Sequence, residues 1–329
     1  MQSGEDRLIA RHFRPLATET GALSLTDDSA YFAPPPGYEM VLNADAVVAG
    51  VHFLPGDPAG SIAKKALRVN LSDLAAKGAA PAGFLMTLAL PEGISESWLE
   101  SFAAGLKADC EQFACPLYGG DTVRTPGPVS ISIFAFGVLP QGTMVRRAGA
   151  KPGDRILVTG SIGDGALGLT LLQEPPRKDA WQLSDADAQA LIHRYRVPLP
   201  RVALHDAVRA YASAAMDISD GLLGDLGKLC DASNVSARLD VTALPLSAAA
   251  RQALHCEPAL IERIATGGDD YEILCAVTPE HLRDFRAAAE GAGVTVTDVG
   301  EVRQGSEPPQ LIAADGRALA FARPSFSHF

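Results

Sequence analysis

The chain has 329 residues, enough for two domains with separate cores. Its net charge of -11, with no basic stripe, excludes a duplex-binding surface, so nucleic acid is not expected as a partner. Residues 1–14 lack the pattern of a secretion signal, and no apolar run approaches the roughly 18 residues of a membrane span, so the expectation is a soluble cytoplasmic protein with no membrane partner.

In chain order, Ser61 reads as the N-cap of a helix whose apolar residues Ile62, Ala66, Val69 and Leu74 recur at helical spacing until Gly78 closes it. A second helix is expected from Ser95 to about Phe113, and a strand over 129–139, where β-branched residues alternate. Met144 to Asp154, rich in glycine and arginine, reads as a connecting loop, and a strand-glycine-helix unit follows from Arg155. The expected domains are therefore 1–148 and 149–329. Beyond the loop, 156–158, 215–218, 237–241, 272–277 and 294–299 read as strands, with helices over 222–232 and 279–290. The polar stretch 175–184 reads as a surface excursion. Cys110, Cys115, Cys230, Cys256 and Cys275 lack C-x-x-C spacing, which fits reduced thiols.

Five short segments set aspartate beside glycine, serine or another aspartate, namely Asp27-Asp28, Ser72-Asp73, Gly119-Gly120-Asp121-Thr122, Asp217-Ile218-Ser219-Asp220-Gly221 and Gly267-Gly268-Asp269-Asp270-Tyr271, and a sixth acidic segment is Asn43-Ala44-Asp45. Magnesium prefers carboxylate oxygen and shares its shell with substrate phosphates, so dispersed acids suit a phosphate-handling site. Phosphoryl transfer to or from ATP is the leading reading. Asp73 falls near a helix C-terminus, where the macrodipole disfavours a carboxylate unless a cation compensates; a solvated acid or a pair with Lys77 is the alternative. The Asp217 to Gly221 segment would stand at a strand's carboxyl end, where open sheets bind ligands, or would cap the next helix. In the Gly119 to Thr122 segment the glycines admit a phosphate closely, or form an ordinary turn. Gly160 to Gly165 would cradle phosphate at a helix N-terminus or simply pack; it lacks the P-loop ending. Arg146 and Arg147 suit phosphate oxygens or are merely exposed. His52 suits acceptor binding or proton transfer, although a lone histidine is commonly structural.

Together and in this order, these segments resemble the thiamine-monophosphate kinase family, of the superfamily that includes aminoimidazole ribonucleotide synthetase and selenophosphate synthetase. The likeness runs from Gly4-Glu5 through Gly50-Val51-His52-Phe53, Asn70-Leu71-Ser72-Asp73, Gly120-Asp121, Arg147 with Gly149-Ala150-Lys151-Pro152-Gly153-Asp154, and Asp217-Ile218-Ser219-Asp220-Gly221, to Ser325-Phe326-Ser327-His328-Phe329. It implies an α/β (α+β) fold of two domains, the N-terminal one contributing strands to a dimer barrel and the C-terminal one closing over the nucleotide. It implies ATP-dependent phosphorylation of thiamine monophosphate on a cluster of Mg²⁺ ions, in a homodimer. By matching position, Asp28, Asp45, Asp73, Asp121, Asp217 and Asp220 correspond to metal-binding acids. Gly120, Asp121, Arg147 and Ser219 correspond to nucleotide contacts, and His52, Asp269 and Phe326 to thiamine-substrate contacts. The resemblance implies Asp45, Asp121, Arg147 and Asp217 as the catalytic set. Asn43 and Ala44 stand where the family usually has hydroxyl residues, so one metal site is expected either to be recruited through a side-chain or backbone carbonyl or to be weakened.

The competing readings are ATP-dependent activation of another acceptor, as in aminoimidazole ribonucleotide synthetase, and nucleotide or divalent-metal binding without turnover. Selenophosphate synthesis lacks its reactive residue before Cys110, and no segment has the spacing of a calcium-binding loop.

Overall fold

The computed structural model describes residues 4–322 and Ser325. The chain divides into two compact units, Met1–Leu74 with Ala79–Thr143, and Ala75–Gly78 with Met144–Phe329.

The first unit is a four-stranded sheet backed by two long helices. Strands β1 (Tyr38–Val48), β2 (Ala80–Leu90), β3 (Leu117–Arg124) and β4 (Ser130–Pro140) lie in the order β1-β4-β2-β3. Only β2 and β3 run parallel. The helix Ala59–Ala76 starts before Ser61: the amides of Ser61 and Ile62 both donate to Pro58 O, so Pro58 opens the helix and Ser61 lies in its first turn. It ends as expected, on Gly78 at φ +77°, with the amides of Gly78 and Ala79 returning to Ala75 and Leu74. The helix Glu96–Phe113 begins on the expected cap, Ser95 Oγ accepting from the Trp98 amide at 3.1 Å.

These two helices approach so closely at Gly60 and Gly105 that a Cβ on Gly105 would lie 2.3 Å from Gly60 O. Further along, Arg68 holds Asp109 through two hydrogen bonds of 2.6 and 2.7 Å, both side chains being buried. Leu67, Leu71, Phe84, Leu88, Phe102 and Leu106 are fully buried, each contributing about 1.5–3 kcal/mol by leaving water.

The second unit is a six-stranded sheet in the order β10-β7-β9-β5-β8-β6. Its strands are β5 (Arg155–Thr159), β6 (Ala212–Ile218), β7 (Ser236–Asp240), β8 (Glu272–Val277), β9 (Val296–Arg303) and β10 (Gln310–Ile312). All neighbours are antiparallel except β10 and β7. Helices and mixed sheets combine in both units, which is the α/β (α+β) class expected. The structure departs from expectation at several points, among them β6, which begins at Ala212 rather than at 215. β9 starts two residues late and runs to Arg303, because Ser236 to Leu239 of β7 pair with it from Gly300 onward. β10 was not anticipated; it is three residues long and has no periodicity to read. The stretch 175–184 is anchored rather than peripheral: Arg177–Ala180 forms a helical turn, and Trp181 is buried with its indole N–H on Glu257 Oε2 at 2.8 Å.

Candidate active site

In the first unit a cavity of about 520 Å³ is lined by Asp27, Asp28 and Ser29, by Gly119, Gly120, Asp121 and Thr122, and by apolar side chains including Ile9, Phe13 and Leu117. Gly119-Gly120-Asp121-Thr122 is not a turn. It is the middle of β3, where register with β2 shifts between Phe84 and Leu85. Gly120 has φ +150°, and a Cβ there would lie 1.8 Å from Met86 O, so only glycine lets β3 run this close to β2. The bulge sets Asp121 at the cavity, with Asp28 also on its wall.

A second group stands where β1 meets the helix Ala59–Ala76. Asn43 Nδ2 donates to Asn70 O at 3.2 Å, to Asn70 Oδ1 at 3.1 Å and to Asp73 Oδ2 at 3.1 Å. These bonds orient the amide and leave Asn43 Oδ1 buried with no hydrogen-bond partner. Side-chain alternation puts Asp45 on the same face of β1 as Asn43, while Ala44 between them is exposed and pairs with Phe134. Asp73 is thus held by a donor, which answers the dipole conflict without Lys77; Lys77 Nζ donates to Ala215 O at 2.6 Å.

His52 lies in a turn closed by His52 N–H on Val48 O and by Gly50 N–H on Phe53 O. The Val48 amide donates to His52 Nδ1 at 3.1 Å, so in the neutral ring the proton sits on Nε2.

In the second unit the acidic segments converge at the end of β6. Asp217 is buried in that strand, opposite Ile273 of β8. The next helix, Leu222–Ser233, has Gly221 as N-cap at φ +117°, so neither Asp220 nor Ser219 caps it by its side chain. Asp225, from inside the helix, instead accepts the amides of Ser219 at 3.0 Å and Asp220 at 2.9 Å. Lys228 Nζ bridges Asp220 Oδ2 at 2.6 Å and Asp225 Oδ1 at 2.8 Å. Burial raises the Asp225 carboxyl above its usual range, against the pull of Lys228. The Asp269 amide donates to Ser219 O at 2.9 Å and the Tyr271 amide to Ile218 O at 2.8 Å, so the two acidic loops are joined backbone to backbone.

The amides of the Gly160 to Gly165 loop face an anion belonging to the protein itself. Asp270 accepts from Gly163 N at 2.7 Å and from Gly165 N at 3.2 Å, at the start of the helix Asp164–Gln173. That is the packing alternative to a phosphate cradle. Arg147 is exposed, and its carbonyl accepts from Ser233 Oγ at 3.0 Å. Phe326 lies outside the described residues. Asp225 and Lys228 were not singled out from the sequence, and Asp270 was quoted in its acidic segment but given no role; Asp225, four residues past a glycine that ends an acidic segment, carried a signal that could have been read.

Among the described residues no three His, Cys, Asp or Glu side chains stand close enough to share one metal ion. The donor chemistry nonetheless fits magnesium: hard oxygens on several elements, none arranged as a closed protein cage, together with the unpartnered Asn43 Oδ1.

The model of the AIR synthase related protein N-terminal domain matches residues 26–139, and that of the C-terminal domain matches 151–308. A thiamine-monophosphate kinase of Caulobacter vibrioides is 47% identical over 302 residues, covering 90% of this chain and 83% of that protein. The crystal structure of thiamine-monophosphate kinase from Stenotrophomonas maltophilia superposes with a TM-score of 0.83 at 38% identity, covering 95% of this chain and 96% of that one. AaThiL complexed with AMPPCP and TMP gives a TM-score of 0.78 at 31% identity, over 92% and 91% of the two chains. With relatives this similar along nearly its whole length and both domain models matched, the chain belongs to the thiamine-monophosphate kinase family.

Proposed function

We propose that the chain transfers the γ-phosphoryl group of ATP to the phosphate of thiamine monophosphate, giving thiamine diphosphate. The cavity on whose wall Asp28, Gly120 and Asp121 meet carries this reading: it pairs a backbone stripped of side-chain bulk with two carboxylates, as a magnesium-bearing triphosphate requires. Its apolar wall, with Ile9, Phe13 and Leu117, suits a flat base.

Asp28, Asp45, Asp73, Asp121, Asp217 and Asp220 would hold Mg²⁺, with Asn43 Oδ1 and the Ala44 carbonyl as further oxygens. The ions, once bound, neutralise charge on the transferring phosphoryl group. What this chain's residues do is mostly positioning. Asn43 orients Asp73. Asp225 and Lys228 fix Ser219 and Asp220, and Lys228 offsets the two carboxylates it touches. Exposed Arg147 is suited to pairing phosphate oxygens in two-point fashion, Ser219 offers a hydroxyl to the nucleotide, and His52 is the imidazole proposed to contact the acceptor substrate. Asp269 and Phe326 complete the thiamine contacts, a carboxylate and an aromatic ring being matched to a cationic heterocycle. The exposed apolar face of the first sheet supports a homodimer. The proposed location is cytoplasmic; among the described residues no helix is long and apolar enough to cross a membrane.

Asp121→Asn tests the site. It should lower kcat by about a thousandfold while the fold is kept, because one charge toward the metal-bound nucleotide is lost at constant shape. Near-normal turnover in the purified variant would remove Asp121 from the site.

A further inference from the structure

We infer that Asp270 is a positioning residue for thiamine monophosphate, a buried carboxylate that clamps the loop presenting Asp269. This rests on the reading of Asp269 as a substrate contact. Asp270 is only 1% exposed, and its two oxygens take separate amides, Gly163 N on Oδ2 and Gly165 N on Oδ1. Its backbone carbonyl accepts from Arg194 Nη2 at 3.3 Å, and the same guanidinium reaches Glu272 Oε1 at 2.8 Å. Arg201 holds Glu272 from the other side, with Nε on Oε2 at 2.6 Å, and Thr159 Oγ1 also donates to Oε2 at 2.7 Å. A frame of two buried acidic side chains and two partly buried guanidinium groups thus encloses the loop's interior.

The frame holds a backbone that would not choose this shape. Asp269 and Tyr271, on either side of Asp270, adopt φ +74° and φ +53°, the left-handed region that residues with side chains avoid. Their amides are spent on Ser219 O and Ile218 O, tying the loop to the segment that carries Asp217, Ser219 and Asp220. The glycines around it leave no slack. A Cβ on Gly165 would lie 2.4 Å from Asp269 O, and one on Gly268 would lie 2.5 Å from Ser219 O. A carboxylate needed only to satisfy a helix start does not require unfavourable conformations on both sides of it. A carboxylate that fixes the direction of its neighbour does.

The test uses the full chain, with steady-state kinetics, calorimetric binding of thiamine monophosphate in the absence of ATP, and thermal unfolding. Asp270→Asn keeps the shape but sets an NH₂ against one of the two amides. It should raise KM and Kd for thiamine monophosphate about tenfold or more, leaving KM for ATP within about twofold and kcat within about threefold. Leu229→Ala, a core truncation in the same unit, should lower Tm comparably and leave KM for thiamine monophosphate unchanged. Asp269→Gly removes the carboxylate while easing the backbone, so it should weaken thiamine monophosphate binding about tenfold with a Tm no lower than that of the parent. If Asp270→Asn behaves like Leu229→Ala, Asp270 is a structural cap and the inference fails. A Tm for Asp269→Gly well below the parent's would overturn the strained clamp even if Asp270→Asn does not fold. Unchanged thiamine monophosphate affinity in Asp269→Gly would refute the substrate reading of Asp269 itself, and the inference with it.

Discussion

Asn43 shows how much a single residue conveys once its neighbours are known. From sequence it is a missing hydroxyl; in the structure its amide secures Asp73 and Asn70 and keeps one oxygen unpaired. The acids proposed for the site were nominated from sequence because Asp-Gly and Asp-Ser segments carry their chemistry locally. The roles of Asp225 and Asp270 could not be read there, since they depend on which amides the tertiary fold brings to them. Asp270 yields a pH prediction. Desolvation raises its carboxyl well above the usual range, the nearby Asp164 adds to the shift, and the amides of Gly163 and Gly165 and the Arg194 guanidinium oppose it. A folded-state value above the unfolded one means the native chain holds a proton that the unfolded chain releases. The stability this contributes is full below about pH 4 and declines as pH rises through the folded value. The stability gap between the parent and Asp270→Asn, measured by chemical denaturation, should therefore be widest near about pH 4 and narrow toward neutrality. A constant or widening gap would mean that Asp270 is not raised.

Among the elements, both long helices of the first unit were legible because their apolar spacing and glycine or serine ends agree with their packing. The segment at Gly120 was not, since a strand bulge and a turn call for the same residues and only the partner strand decides between them. Trp181 was missed for a similar reason: one buried indole in a polar stretch has no period. The first sheet leaves Leu42, Leu85, Val123 and Phe134 exposed, and strand pairing sets Leu85 against Phe134 on one face. An apolar sheet face of this kind marks an association surface, and the proposed homodimer would cover it. Replacing Leu42 and Phe134 together by glutamate should convert a dimer into a folded monomer in sedimentation experiments. A parent protein already monomeric at about 50 μM, well above the range of standard-size interfaces, would dismiss the dimer.

For the whole molecule, length and charge pointed to two domains and away from nucleic acid, and the structure parts between Thr143 and Met144, with Ala75–Gly78 counted in the second unit. What sequence could not give is which segments meet within each unit, because residues tens to hundreds of positions apart meet only through the fold: Ser219 with Asp269 and Gly163 with Asp270 in the second unit, Asn43 with Asp73 in the first. The central claim, phosphoryl transfer to an existing phosphate, is tested most directly by incubating the purified chain with ATP, Mg²⁺ and thiamine monophosphate and resolving products by mass. The account predicts thiamine diphosphate that appears only with the divalent ion, is abolished by EDTA, and does not form when thiamine replaces its monophosphate. A folded, ATP-binding protein that yields no thiamine diphosphate would contradict it.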